Sequence, residues 1–147
     1  MSESNRPRAP WHLWLIGGVL LAYALLAAFD SVMTLSQGEA YMRSSGMNDS
    51  QIAFFTGLPV WFDIASFVST WAGLLGAAML LARRKAAGAV LLAAALATVV
   101  TCLFLYADRS GIAAMGVLWP MPAVIAAVYL LAAIYAGRQT RRGVLSR

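Results

Sequence analysis

The chain has 147 residues, 61% of them hydrophobic and only 12% charged, with a mean hydropathy of +0.74. A soluble domain runs at about 45–50% apolar and about 25% charged, and here the apolar residues come in long blocks that no water-facing side interrupts. That pattern excludes an ordinary globular enzyme, a disordered chain and a nucleic-acid binder built on a basic surface. One cysteine (Cys102) and one histidine (His12) exclude an internal disulfide, a cysteine metal cage and bis-histidine haem ligation within one chain. No metal and no cofactor is expected.

A hydrocarbon core of about 30 Å needs roughly 20 apolar residues in a helix rising 1.5 Å each. Four blocks meet that length. The leader to Pro10 is polar and broken by proline, after which Trp11 and Trp14 anchor a first span over about 11–35; His12 reads as part of that anchor. Arg6 and Arg8 ahead of an apolar run, with Ala22-Tyr23-Ala24 further on, resemble a signal peptide. The apolar sequence continues to Phe29, however, so an uncleaved first helix is expected. The first connection is long and holds Asn48-Asp49-Ser50-Gln51, a helix start in which Asp49 or Ser50 is the expected cap. The nearby Phe54 and Phe55 suit a short segment lying flat at the outer interface.

The second span covers about 59–82 and is joined by Arg83-Arg84-Lys85 to a third over about 86–106, so these two form a tight hairpin. Ala107 to Gly111 lead as briefly into a fourth span, about 112–137, where Pro120 and Pro122 either kink the helix or confine its regular part to the residues beyond them. Small residues (Ala72, Gly73, Gly76 and Ala77, then Ala93, Ala94, Ala95 and Ala97) provide faces for close helix packing. Cys102 fits as a small packing residue. The expected fold is an all-α membrane protein of one domain, an antiparallel bundle of four transmembrane helices.

Charge sets the orientation. Of 11 basic residues, nine fall at the two ends and in the second connection, against Arg43 and Arg109 on the other side. The positive-inside rule then places both termini in the cytoplasm. The pI of about 10.0 is therefore a topology signal and an attraction to anionic lipid head groups, not a footprint of nucleic acid.

Polar residues within the spans line up at helical spacing. Tyr23, Asp30 and Thr34 share one face of the first helix; Asp63, Ser66, Thr70 and Gly73 share one of the second; Thr98, Thr101 and Asp108 share one of the third. A charge inside a membrane normally faces the bundle interior or a wet cavity. These stripes predict an outward-opening polar pocket lined by Tyr23, Asp30, Asp63, Ser66, Thr70, Thr98 and Thr101, closed by the Tyr41–Phe55 segment. Arg43 or Arg109 would pair with an acid at its mouth. Plainer readings stand beside this one. Asp30, 19 residues after Trp11, lies about 28 Å along its helix and can reach the head groups. Asp63, four residues past Pro59, can be an acid favoured by the helix dipole, and Asp108 reads as a loop residue.

Asp30-Ser31-Val32-Met33-Thr34, Tyr41-Met42, Leu58-Pro59 with Trp61, Trp71 with Gly73 and Gly76, and Arg83-Arg84 together resemble a family of short four-helix inner-membrane proteins of proteobacteria. Some members of that family carry a sugar-transporter label. The resemblance implies the bacterial inner membrane and a transport role. An aromatic usually follows the aspartate where this chain has Ser31, so a stacking role there is not implied. The four-helix small multidrug carriers match in size alone: their first helix embeds a glutamate, and no span here holds one.

Two functions remain open from the sequence. One is a small-solute carrier, working as a homodimer because four helices scarcely enclose a pathway. The other is a non-catalytic accessory or assembly subunit of a larger membrane complex. A carrier requires Asp30 and Asp63 on one cavity, whereas an accessory subunit requires polar or small patches turned outward. No Ser–His–Asp set, phosphate loop or HExxH motif is present, so an enzyme is not expected.

Overall fold

The computed structural model describes residues 9–107 and 109–145, and every regular element among them is helical. In chain order these are α1 (Trp11–Gln37), α2 (Glu39–Ser44), α3 (Asp49–Thr56), α4 (Val60–Leu81), α5 (Ala87–Ala107) and α6 (Arg109–Met115). A 3₁₀ turn (Gly116–Leu118) and α7 (Met121–Arg141) complete the chain. Asp108 lies outside the described residues. Helices α1, α4, α5 and α7 are each long and apolar enough to cross a membrane, and the chain is a multi-pass, all-α membrane protein. Large apolar side chains such as Leu26, Phe29, Leu103 and Leu131 stay exposed on the outside of the bundle, the expected arrangement where lipid rather than water is the solvent.

Helix α4 packs against both α1 and α5, and α5 packs against α7. The gap between α1 and α7 is wider and is bridged by long side chains. His12 Nδ1 lies 2.6 Å from the Tyr135 hydroxyl, and the Tyr23 and Tyr129 rings meet edge to face at 6.3 Å. One end of the bundle gathers His12, the α4–α5 turn and the C-terminal residues, with Arg83 Nε donating to the Val144 carbonyl at 2.9 Å. This end is called inner, after the arginine bias. The opposite, outer end carries α2, α3 and α6.

Small residues close the inner half. A Cβ at Gly73 would strike the Tyr129 hydroxyl, and one at Gly76 would come within 2.7 Å of Leu91. Without a hydrophobic force between helices in lipid, close backbone approach of this kind is what holds a bundle together. Ala94 and Ala95 of α5 are buried in the same seam with Ala132 and Ala136 of α7. Ala93, expected on that face, instead points outward; it sits one position off the buried repeat.

The fourth long helix starts at Met121 rather than near Ile112. Gly116, at φ +56, breaks the chain direction first. Pro120 then caps α7 and Pro122 occupies its first turn, where a missing N–H leaves no helical bond unmade. The residues before it form α6 and the 3₁₀ turn. The third connection is thus a small cap rather than a tight link, tied down by Gln51 Nε2 donating to the Ala114 carbonyl at 2.8 Å. The cap of α3 differs in the same spirit. Asn48, not Asp49 or Ser50, closes a reciprocal capping box with Gln51, because the amide accepts from the Gln51 N–H while the Gln51 side chain reaches back.

Replacing Gly73 with alanine drives a methyl into a ring that the core holds fixed. Overpacking of this kind costs about 1–3 kcal/mol. Thermal unfolding in detergent should show Gly73→Ala clearly destabilised and Gly18→Ala, which meets open space, unaffected. Adding Tyr129→Phe should recover part of the loss; full additivity of the two changes would show that the contact is not the cause.

Candidate functional site

The tight inner seam does not continue outward. Above it, α1 and α4 separate around a cavity of about 510 Å³ that opens at the outer end. Its wall takes Tyr23, Asp30, Ser31 and Thr34 from α1, and Phe62, Asp63, Ser66, Phe67 and Thr70 from α4. Tyr41, Met42, Ser45, Met47 and Phe55, from α2, α3 and the loop between them, also line it. That segment can sit over the cavity because Gly38, at φ +54, ends α1 and turns the chain straight into α2. A left-handed residue at a helix end is the ordinary place for glycine.

A second, narrower space of about 190 Å³ lies against the first and shares Tyr23, Ala27, Phe62, Ser66 and Thr70 with it. Thr98 and Thr101 of α5 line this recess, together with Ser69, Tyr129 and Pro122. The seven residues singled out by the polar stripes therefore fall on two adjoining spaces, not one. Tyr23, Ser66 and Thr70 border both, Asp30 and Asp63 only the outer cavity, and Thr98 and Thr101 only the recess.

The chemistry of the two differs. Thr98 Oγ1 donates to the Ala94 carbonyl at 2.8 Å and lies 2.5 Å from Ser69 Oγ, while Thr101 Oγ1 donates to the Thr98 carbonyl at 2.9 Å. Both threonines spend their hydroxyls inside the protein, so the recess is a polar seam between α4 and α5. In the outer cavity, Asp30 accepts a hydrogen bond from the Tyr41 hydroxyl at 2.8 Å. Both carboxylates remain exposed, which leaves them available to whatever enters. The lining of this cavity contains no Lys, Arg or His. Arg43, expected at the mouth beside one of these acids, instead pairs with Asp49 at 2.6 Å. It does so because the α2–α3 turn brings those two residues together. Both are largely exposed, and such a pair adds little stability. Among the described residues it is the one salt bridge, so Arg109 neutralises neither cavity acid.

Ser69 and Tyr129 also line the recess, and the polar stripes do not single them out. Ser69 stands one turn beyond Ser66 and beside Thr70, on the flank of the α4 stripe, and that neighbourhood is its signal in the sequence. Tyr129 is an aromatic in an aliphatic stretch, and only the reach of its side chain from α7 to Gly73 of α4 brings it to the recess. Among the described residues no three His, Cys, Asp or Glu side chains gather to hold a metal ion.

The Asp30–Tyr41 bond gives this site a pH signature. Asp30 accepts from the protonated phenol, and this bond, with a lesser contribution from desolvation, raises the Tyr41 pKa above its ordinary value of 10.0. The bond is present at neutral pH, where the phenol is protonated, and is lost as pH rises through the raised value. Carbon-13 NMR of labelled tyrosine, assigned with Tyr41→Phe, should show this phenol ionising late. Asp30→Asn should bring it down; an unmoved titration would mean that the bond does not form in solution.

Comparison with protein-family models, with curated proteins and with solved structures finds no match to this chain. Its function must be read from the chemistry of the cavity itself.

Proposed function

We propose that this protein is a small-solute carrier of the bacterial inner membrane, with both termini in the cytoplasm. One observation carries the reading: Asp30 and Asp63 open onto a single outward-facing cavity whose floor is a bundle packed to backbone contact. A site open on one side and sealed on the other is one of the two states that alternating access requires. The cavity volume falls within the roughly 300–1,000 Å³ of small-molecule sites. The arginine bias and the motif resemblance support the membrane and the orientation. A homodimer fits the reading, because four helices scarcely enclose a pathway.

The accessory-subunit reading has one observation on its side. Gly18 of α1 faces open space, with the exposed Ala22 one turn further on, a small pair of the kind on which another helix can dock. Against it, the other small residues with close neighbours are consumed within the bundle.

Single cysteines in a Cys102→Ala background separate these readings. A membrane-impermeant thiol reagent should reach Arg84→Cys only from the cytoplasmic side and Ser45→Cys only from outside. Thr70→Cys, on the cavity wall, should react from both sides in turn if the protein alternates. Labelling from the outside alone would remove the carrier reading, and recovery of a stable heteromeric complex in mild detergent would favour the accessory one. Arg84→Cys labelled from outside would invert the topology.

A further inference from the structure

We propose that the solute is a small organic ammonium compound, held between Asp30 and Asp63 in the outer cavity; this deepens the carrier reading and rests on it. The first argument is charge. Two carboxylates line one space, no basic side chain shares that lining, and Arg43 of the overlying α2 pairs with Asp49 instead. An anion entering would meet repulsion from both acids. A neutral solute would take water from the carboxylates and return no charge, leaving them desolvated at a cost. A cation restores that balance.

The second argument is the wall between the acids. Phe62 and Phe67 of α4, and Tyr41 and Phe55 of the overlying segment, put four aromatic side chains in the lining. Aromatic faces attract ammonium groups and suit alkylated ones best. A bare metal ion would draw nothing from the aromatic side chains, and no three His, Cys, Asp or Glu side chains gather among the described residues to hold one. The ammonium group has two possible sources, a free amine solute or the head group of an aminophospholipid in the outer leaflet. The chemistry recognised is the same.

The test uses the full chain in nanodiscs made first from phosphatidylglycerol alone and then with phosphatidylethanolamine added. Choline and phenethylammonium are titrated against dimethylbutanol, the uncharged carbon isostere of choline, with calorimetry as the readout. The expected result is binding of an ammonium probe at least about ten-fold tighter than the isostere, a difference of about 1.4 kcal/mol. That preference should be lost in Asp63→Asn and in Asp30→Asn, and should return in Asp63→Glu, which shows that the site still folds. Equal binding of the neutral isostere, or a preference that survives both Asn variants, overturns the proposal. Competition by phosphatidylethanolamine supports the ammonium chemistry and assigns it to the lipid head group. Flux in proteoliposomes separates this inference from the reading beneath it. Ammonium binding without flux leaves the ligand class standing and removes the carrier, while flux of neutral solutes without ammonium preference does the reverse.

Discussion

The structure depends on the close approach of α4 to α5 at Gly76 and on the seat that Gly73 of α4 leaves for the Tyr129 side chain reaching over from α7. In lipid there is no gain from hiding one apolar surface against another, so four helices stay together only where their backbones come close enough for dense packing and complementary shape. Gly73 under the Tyr129 ring and Gly76 against Leu91 provide that contact. With the alanines of α5 and α7 they make the inner half a dry, closed seam.

Because the small residues are concentrated toward one end, the helices are free to separate at the other. The outer half of α1 and α4 carries Asp30, Thr34, Asp63, Ser66 and Thr70 among its apolar residues, and there the bundle opens into its cavity. One end therefore supplies cohesion and the other supplies chemistry. The arrangement also explains the overlying segment. An opening flanked by hydroxyls and carboxylates needs a partner at its mouth, and α2 and α3 lay Tyr41, Met42 and Phe55 over it while anchoring themselves through Gln51 to the α6 cap.

The recess beneath the cavity shows how polar residues of one type can serve opposite ends. Ser69 and Thr98 satisfy each other and the α5 backbone, which adds a hydrogen-bonded tie to a seam otherwise held by packing. Ser66 and Thr70, on the same helix, stand at the boundary and face both spaces. Hydroxyls are well suited to such a boundary: each can close onto a helix carbonyl when nothing is present and turn outward when something is.

The four membrane-crossing helices, the order of neighbours along the chain and the segregation of charge were all legible in the sequence. Length of apolar run and arginine count are local properties, and a bilayer enforces them without reference to tertiary contacts. The faces bearing Asp30 and Asp63 were legible too, because helical spacing fixes which residues share a side. What spacing does not give is rotation and depth of one helix against the next. Only the packed bundle decided that Thr98 and Thr101 close onto α5 and Ser69 while Asp30 and Asp63 share the open cavity. It also decided that Arg43 turns to Asp49, that Asn48 rather than its neighbours caps α3, and that α7 waits until Met121. Some of these rest on contacts across the bundle, such as Ser69 with Thr98. The others are choices among local alternatives that the sequence leaves open, such as which side chain caps α3 or whether Pro120 kinks the last helix or starts it.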